Sequence, residues 1–345
     1  MEVNEEAERP WAGPLGPLLA RPGVTDVLVQ EPGYAWVDSG GALARETVDL
    51  PDADAVRALA VRMAGAGGRR LDDAAPLVDA RLPDGTRLHA VLPPLAPDCA
   101  AISLRSVRAR ALDMEDLVAS GMVTGPLGQV LRAMVARRLS VLVTGATGSG
   151  KTTLLASLLS LVDSGERILI IEEAGELSPA HPHVVRLVER RANIEGSGAV
   201  GLSTLVREAM RMRPDRVVLG ECRGAEVREV LSVFNTGHRG GFATLHANSP
   251  ADAPARLVAL GSLAGLDQRT VELQAAIAFD AVVHVERIGD ARRVTRVATL
   301  ARAADASLTA VDALVWDRGR WVTGPAWESL GVRLGIEIEV GLRVA

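Results

Sequence analysis

Short apolar runs separated by Gly- and Pro-containing turns fill the first hundred residues of the chain. Each run predicts a strand, and the runs lie at residues 24–30, 34–40, 42–48, 77–82, 87–92 and 101–105. The turn Pro83-Asp-Gly-Thr86 joins two of these runs and is a strong hairpin signal. Residues 53–66 repeat their apolar positions with helical spacing and end at Gly67-Gly68. Together these elements predict a small α+β domain over residues 1–106.

From residue 126 onward, apolar strands alternate with longer helical stretches. Strands are expected at residues 139–144, 167–171 and 216–219, helices at 126–137, 201–213, 225–235, 251–262 and 268–279, and a hairpin at 281–286 with 292–300. Such alternation predicts a largely parallel sheet that is covered by helices on both faces. The fold class is therefore α/β.

The segments outside these two domains carry weaker patterns. Residues 107–125 are expected to form a linker with a short amphipathic helix at 114–119, the second domain to cover 126–300, and residues 301–345 to form a tail. The tail contains three of the five tryptophans, but no chemistry that assigns it a role. A chain of 345 residues has room for two domains and such a tail.

Composition restricts the location and the partners. No stretch reaches the roughly 20 uninterrupted apolar residues of a membrane-spanning helix, and the acidic start is not a signal peptide. We therefore expect a cytoplasmic protein that reaches the membrane through partner proteins. A net charge of −5 and 3% aromatic residues argue against nucleic acid as a partner. Cys99 and Cys222 lie far apart and indicate neither a disulfide framework nor a zinc ribbon.

The motif at residues 145–152 has the form G-x-x-x-x-G-K-[ST] and contains the only lysine among 38 basic residues. It lies between a predicted strand and a predicted helix, which is the context in which such a loop binds nucleotide phosphates. Lys151 is expected to bridge the β- and γ-phosphates, and the Thr152 hydroxyl to ligate Mg²⁺. The proposed nucleotide-binding residues of this loop are Gly145, Ala146, Thr147, Gly148, Ser149, Gly150, Lys151, Thr152 and Thr153.

Acidic residues follow two of the predicted strands, at the sheet edge where open α/β sheets bind ligands. One group is Ile170-Ile-Glu-Glu-Ala-Gly-Glu176 and the other is Val217-Val-Leu-Gly-Glu221. A carboxylate delivered beside the phosphate loop can orient the attacking water or contact Mg²⁺ through water. Because acidic residues also favour the first turn of a helix, the first group has a structural alternative.

Histidines and arginines supply further candidates. His246 follows the apolar segment 242–245 and could read the γ-phosphate, whereas the spacing of the histidines matches no zinc signature. Arginines in the second domain are candidates for completing a site across a subunit boundary, as trans-acting arginines do in other phosphoryl-transfer enzymes. These are Arg190, Arg191, Arg211, Arg213, Arg216 and Arg223.

Six motifs in one order resemble the secretion and pilus-assembly ATPases of the type II/type IV secretion superfamily, with the tight-adherence (Flp/Tad-type) branch as the nearest pattern. The motifs are Asp79-Ala-Arg-Leu-Pro-Asp-Gly-Thr-Arg87, GATGSGKTT at 145–153, IIEEAGEL at 170–177, HPHVVRL at 181–187, RMRPDRVVLGECRG at 211–224 and NTGHRGGFATLHANS at 235–249. The resemblance runs from about residue 12 to residue 300.

The resemblance implies a P-loop RecA-like parallel-sheet ATPase domain preceded by a smaller α+β domain. It further implies a cytoplasmic homo-hexamer that hydrolyses ATP with Mg²⁺ at an inner-membrane platform of integral membrane proteins. It assigns catalytic roles to Lys151, Glu172, Glu221 and His246, and a metal contact to Thr152 and Glu221. Nucleotide contacts beyond the loop are expected from Arg81, Arg87, Arg105, Arg211 and His238.

Two other functions fit a P-loop protein of this kind. A RecA-like motor that translocates DNA during conjugation would be stimulated by single-stranded DNA. A nucleotide-gated scaffold would bind ATP with little turnover, against which the intact Glu172 and Glu221 argue. A GTPase is disfavoured, because the guanine-reading Asn-Lys-x-Asp motif needs a second lysine.

Overall fold

A computed structural model describes residues 9–39, 43–106, 111–190 and 198–337. The chain divides after Ala109 into two compact units, each with its own hydrophobic core. The mixed α/β class predicted from the sequence is confirmed. Within the described residues, no helix combines the length and the apolar character needed to cross a membrane.

The first unit is an antiparallel sheet with helices packed against one face. After helix α1 (Gly16–Leu19) come β1 (Asp26–Glu31), β2 (Tyr34–Asp38), β3 (Leu43–Thr47), α2 (Ala53–Ala66), β4 (Leu77–Arg81), β5 (Arg87–Val91) and β6 (Ala101–Arg105). The six strands lie in the order β3-β2-β1-β6-β5-β4. Helix α2 begins where the Asp52 side chain accepts a hydrogen bond from the Ala55 backbone N–H, and its apolar side contributes to the core.

The second unit contains the longer elements. It begins with α3 (Met114–Ala119), α4 (Leu127–Ala136), β7 (Val141–Thr144), α5 (Lys151–Leu159), β8 (Ile168–Glu172), β9 (Val184–Val188), α6 (Leu202–Ala209), β10 (Arg216–Cys222), α7 (Val227–Asn235) and β11 (Phe242–Leu245). It continues with α8 (Ala253–Leu263), α9 (Gln268–Ala278), β12 (Ala281–Ile288), β13 (Ala291–Arg302), β14 (Leu308–Asp317), β15 (Arg320–Thr323) and α10 (Trp327–Leu334).

Nine strands form one sheet in the order β15-β14-β13-β12-β7-β11-β10-β8-β9. The strands from β12 to β9 run parallel to their neighbours, and β13 to β15 continue the sheet antiparallel. Helices α3, α4, α5 and α10 share the core of one face, and α6 to α9 that of the other. The carboxyl ends of β7, β10 and β11 therefore meet at one edge of the sheet, where the conserved geometry of parallel sheets places ligands.

Two segments pack more tightly than the sequence suggested. Residues 111–125, expected to be a linker, contribute Met114, Leu117, Met122 and Val123 to the core of the second unit. The expected tail contributes two strands and a helix, and Trp321 donates a hydrogen bond from Nε1 to the carbonyl of Thr124 at 2.9 Å. The physical reason is apolar burial. Residues of both segments lie in one hydrophobic core, where each removes apolar surface of the other from water.

Candidate active site

The loop at residues 145–150 leaves β7 and enters α5 through glycines in the left-handed region of backbone space. Gly148 and Gly150 have φ angles of +73° and +102°. Gly145 has a φ of +154°, and a methyl group there would lie 2.3 Å from the carbonyl oxygen of Val285. The neighbouring strand β12 thus excludes any side chain at Gly145. The result is a loop whose backbone passes directly into a helix N-terminus, where partial positive charge favours an anion.

Lys151 and Ser149 point polar atoms into this loop from buried positions. The Lys151 Nζ donates hydrogen bonds to the carbonyl oxygens of Gly145 and Ala146 at 2.9 and 3.0 Å. The Ser149 hydroxyl is buried and has no hydrogen-bond partner in the described structure. Burial lowers the pKa of Lys151, and the charge of Glu221 opposes that shift. An unsatisfied buried donor and a partly desolvated ammonium both fit a phosphate chain.

A chain of contacts joins Lys151 to the acidic residue that ends β10. The Lys151 Nζ lies 3.3 Å from His246 Nδ1, and His246 Nε2 lies 2.5 Å from the Glu221 carboxylate. Since the ammonium can only donate, Nδ1 accepts and the proton of the neutral ring is on Nε2, the ring nitrogen nearest to Glu221. Burial, followed by the positive charge of Lys151, lowers the pKa of His246, in agreement with a neutral ring. The other Glu221 oxygen lies 2.6 Å from Arg223.

Glu172 ends β8 beside this chain and is buried. Its Oε1 accepts hydrogen bonds from the backbone N–H groups of Glu176 and Leu177, both at 2.9 Å. The carboxylate therefore also shapes the turn that follows β8, as the structural alternative for this acidic group suggested. Its stem lies against Gly220, so the glycine before Glu221 makes room for Glu172.

Replacing Gly220 with alanine is expected to destabilise the protein by about 1–3 kcal/mol, because the new methyl group would lie 2.7 Å from the Glu172 Cγ. The displaced carboxylate should also lower ATP turnover. Chemical denaturation and a steady-state ATPase assay measure the two effects. Gly128→Ala is the matched control, because its methyl group meets only an ordinary contact at 3.8 Å within α4. Equal stability of Gly220→Ala and the parent would contradict the packing argument.

The structure separates the arginines of the second unit. Arg216 is 2% exposed, and its guanidinium donates to both carboxylate oxygens of Glu166 at 2.7 and 3.0 Å. The interpretation of Arg216 as an arginine acting across subunits is therefore wrong: buried ion pairing fixes it inside the core. Arg211 is exposed and donates to Glu208 on its own helical segment. Arg223 lies at the site itself, between Glu221 and Glu173.

Three arginines of the first unit form a row across adjacent strands. Arg81 is paired in register with Arg87, and Arg87 with Arg105, so their side chains share one face of the sheet. Arg87 forms an ion pair with Asp79 at 2.9 Å, and Arg105 one with Asp26 at 3.0 Å. Opposing cations would repel one another, and these carboxylates compensate that repulsion. The row therefore brings three arginines together on one face of this sheet, with two of them paired to carboxylates.

The remaining histidines do not form a metal cluster. His183 lies 2.8 Å from the Arg167 guanidinium, and His181 donates from Nε2 to the carbonyl of Asp163, so both organise the loop before β9. His238 is half-buried after α7, and none of its described contacts joins it to Lys151 or Glu221. Over the described ranges, no group of three or more His, Cys, Asp or Glu side chains could hold a metal ion.

Two residues at the site were not predicted from the sequence. His284, on β12, is buried with its Nδ1 2.9 Å from the hydroxyl of Thr144, the last residue before the loop. Burial lowers the pKa of His284, and the carboxylate of Glu286 opposes the shift. Arg292, on β13, donates from Nε to the carbonyl of Gly148 at 3.0 Å. Neither residue belongs to a local motif, and only the order of the strands brings them to the loop.

Comparison with known proteins identifies the family. The model described as "Type II/IV secretion system protein" matches residues 9–301. The chain belongs to this family. ATP hydrolysis is supported at the level of the type II/IV secretion family, and the resemblance inferred from six motifs is confirmed at that level.

Conjugal transfer proteins are among the relatives of this chain. A putative conjugal transfer protein of Mycobacterium tuberculosis strain H37Rv is 47% identical over 320 residues, covering 91% of each chain. The protein VirB11 of Agrobacterium fabrum is 30% identical and covers 86% of this chain and 94% of its own length. Neither name specifies the tight-adherence branch that the sequence suggested.

Two solved structures share the fold of this chain. The pilus retraction motor PilT with bound ADP has a TM-score of 0.57 and 21% identity, covering 84% of this chain and 78% of that one. The Legionella pneumophila ATPase DotB has a TM-score of 0.55 and 22% identity, covering 86% and 78%. The predicted arrangement of an N-terminal domain and a parallel-sheet ATPase domain is the fold of these proteins.

The residues of the phosphate loop fit a nucleotide with its metal ion. Mg²⁺ in nucleotide sites is held by few protein ligands together with phosphate oxygens, so the absence of an acidic cluster is compatible with it. Thr152 lies half-exposed in the first turn of α5, where its hydroxyl could take a ligand position. When bound, the ion would supply charge neutralisation at the phosphates.

Proposed function

We propose that the chain is a Mg²⁺-dependent ATPase that works as a homo-oligomeric ring and powers a secretion or pilus machine at an inner-membrane platform. The observation that carries this proposal is the contact chain from Lys151 through His246 to Glu221. It connects the group that would hold the terminal phosphate with the carboxylate that would orient water. The family description, "Type II/IV secretion system protein", supports a secretion machine.

The contact chain suggests how hydrolysis is prepared. Lys151 would exchange its two carbonyl acceptors for phosphate oxygens, and His246 would then lose the donor at Nδ1. A freed Nδ1 raises the basicity of the ring, so His246 would report the presence of the terminal phosphate. Glu221 is the proposed base that orients the attacking water, and Glu172 the proposed support for it at the end of β8.

Arg223 holds Glu221 and Glu173 together in the described chain. Each Glu221 oxygen has a second lone pair, so the carboxylate can accept from a water while Arg223 stays in place. Arg81, Arg87, Arg105, Arg211 and His238 stay proposed nucleotide contacts, the arginines of the first unit because they form a positive row. The tight-adherence pilus is the proposed machine.

A conjugation motor is the second candidate, since two relatives are named for conjugal transfer. The acidic net charge of −5 still favours a protein partner over DNA. The two candidates differ in what stimulates the enzyme.

One set of measurements on the purified full chain tests the proposal. ATP hydrolysis should require Mg²⁺ and should not change when single-stranded DNA is added. In a separate measurement, a non-hydrolysable ATP analogue should shift the protein to a larger mass in solution. Stimulation by DNA that disappears steeply with salt would favour the conjugation motor. ATP binding without single-turnover hydrolysis would indicate a scaffold, and a monomer in every nucleotide state would refute the ring.

A further inference from the structure

The hairpin of β12 and β13 reaches the phosphate loop from outside the usual motifs. Arg292 stands one residue after the start of β13, 144 positions from its partner in sequence, and its Nε donates to the Gly148 carbonyl at 3.0 Å. In loops of this kind the backbone N–H groups face the phosphates and the carbonyl groups point away from them. Arg292 therefore holds the loop on the side that faces away from the phosphates.

The stem of Arg292 also packs on the glycine that begins α5. A methyl group at Gly150 would lie 3.1 Å from the Arg292 Cδ and 3.0 Å from the Met122 Cε. Arg292 and Met122 thus cover the same point of the loop from two sides. We call this pair of side chains the loop clamp.

The loop clamp has a rigid base. The Val294 backbone N–H donates to the Met122 carbonyl at 2.9 Å, so the segment that carries Met122 is joined to β13. Trp321 on β15 holds the same segment through the Thr124 carbonyl. Side chains held by strands keep their positions better than side chains on free loops.

We propose that Arg292 is a positioning residue of the nucleotide site, which holds the glycine-rich loop in its phosphate-binding shape before the nucleotide arrives. The inference rests on the proposed function. Glycines at Gly145, Gly148 and Gly150 give the loop conformational freedom, and binding must remove that freedom. Arg292 removes part of it in advance, through one charge-assisted hydrogen bond and the packing on Gly150.

Three substitutions separate the hydrogen bond from the charge. In Arg292→Gln, the amide Nε2 is bonded to Cδ as the arginine Nε is, so it can donate to Gly148 without a charge. In Arg292→Met, an apolar stem remains but the donor is lost. Arg292→Lys keeps the charge and moves the donor one atom further out. Arg302→Met is the matched control, because Arg302 lies at the other end of β13 and its Nε also donates to a backbone carbonyl, that of Ala306.

The test measures dissociation constants for a fluorescent ATP analogue, together with KM, kcat and the melting temperature of each full-length variant. Positioning predicts that Arg292→Met weakens binding about tenfold, as expected for a lost hydrogen bond to a charged group. Arg292→Gln should lose about threefold or less, kcat should change less than KM, and Arg302→Met should match the parent.

Other outcomes would overturn the inference. Equal affinities for all variants would show that Arg292 does not act on the loop, and a lower melting temperature with unchanged affinity would show a purely structural role. If Arg292→Lys retained affinity while Arg292→Gln lost it, the effect of Arg292 would come from attraction between its charge and the nucleotide and not from positioning of the loop. This comparison does not need Arg292→Met to fold. A parent protein that binds no ATP analogue would instead refute the proposed function.

Discussion

Replacement of Lys151 with alanine is expected to lower ATP turnover by about a thousandfold or more, since it removes a preorganised charge aimed at the transferred phosphoryl group. The fold should persist. The ammonium contacts the Gly145 and Ala146 carbonyls and His246, which are polar groups of the site itself. A phosphate-release assay at saturating Mg·ATP measures the loss, and circular dichroism with thermal melting checks the fold.

Lys151→Arg sharpens this prediction. A forked guanidinium is larger than the compact ammonium, and Lys151 is only 7% exposed within the loop. Arg should therefore fail to restore turnover, although it conserves the charge. Activity of either variant equal to that of the parent would show that ATP is hydrolysed elsewhere, or by a contaminant.

Substitution of Glu221 with glutamine is expected to reduce kcat by about a hundredfold to a thousandfold while ATP binding is retained. The amide oxygen can still accept from Arg223, but the amide cannot take a proton from water or accept from His246 through its nitrogen. Single-turnover hydrolysis and equilibrium binding of a fluorescent ATP analogue separate the two effects.

Glu173→Gln is the matched control for Glu221→Gln. Both carboxylates contact Arg223, at 2.9 Å from Glu173 and 2.6 Å from Glu221, but only Glu221 contacts His246. A control with the same loss of kcat would mean that the contact with Arg223, rather than proton acceptance by Glu221, is what catalysis requires. Unchanged kcat in Glu221→Gln would move the base to another residue, with Glu172 as the next candidate.

Elements with local signals were predictable from the sequence. Helix α2 has the predicted bounds because Asp52 caps it, and α3 begins at a capping box formed by Asp113 and Asp116. The turn at 83–86 joins β4 and β5 as expected. In each case a few neighbouring residues determine the backbone, so no distant partner had to be known.

Elements that depend on distant partners were not predictable in the same way. β9 has only half-exposed and exposed residues, and it forms a strand because β8 offers an edge to pair with. β14 and β15 extend the antiparallel part of the sheet beyond β12 and β13. They form by pairing with strands already present, which is why the sequence beyond residue 300 predicted only a tail. Arg216 was a candidate for a site between subunits because Glu166, which compensates its charge in the core, lies 50 positions away in sequence.

The candidate site shows the same division. The loop at 145–152 is a contiguous motif, and its strand and helix are adjacent in sequence, so the sequence alone indicated phosphate binding. β12 and β13 contribute His284 and Arg292 to the site because β12 lies next to β7. Thr144 and His284, which are paired there, are 140 positions apart in sequence. No periodicity within a short window contains that information.

The burial of the chain's only lysine has a consequence for proteolysis. An endoprotease specific for lysine finds one cleavable bond, after Lys151, at the start of a helix whose later residues are buried. Cutting the native chain therefore requires this helix and its loop to open, and the cleavage rate reports the free energy of that opening. A nucleotide at 100 times its dissociation constant should stabilise the closed form by about 2.7 kcal/mol. The rate at which the two fragments appear on a gel thus measures the free energy of local unfolding of the helix that begins at the phosphate loop.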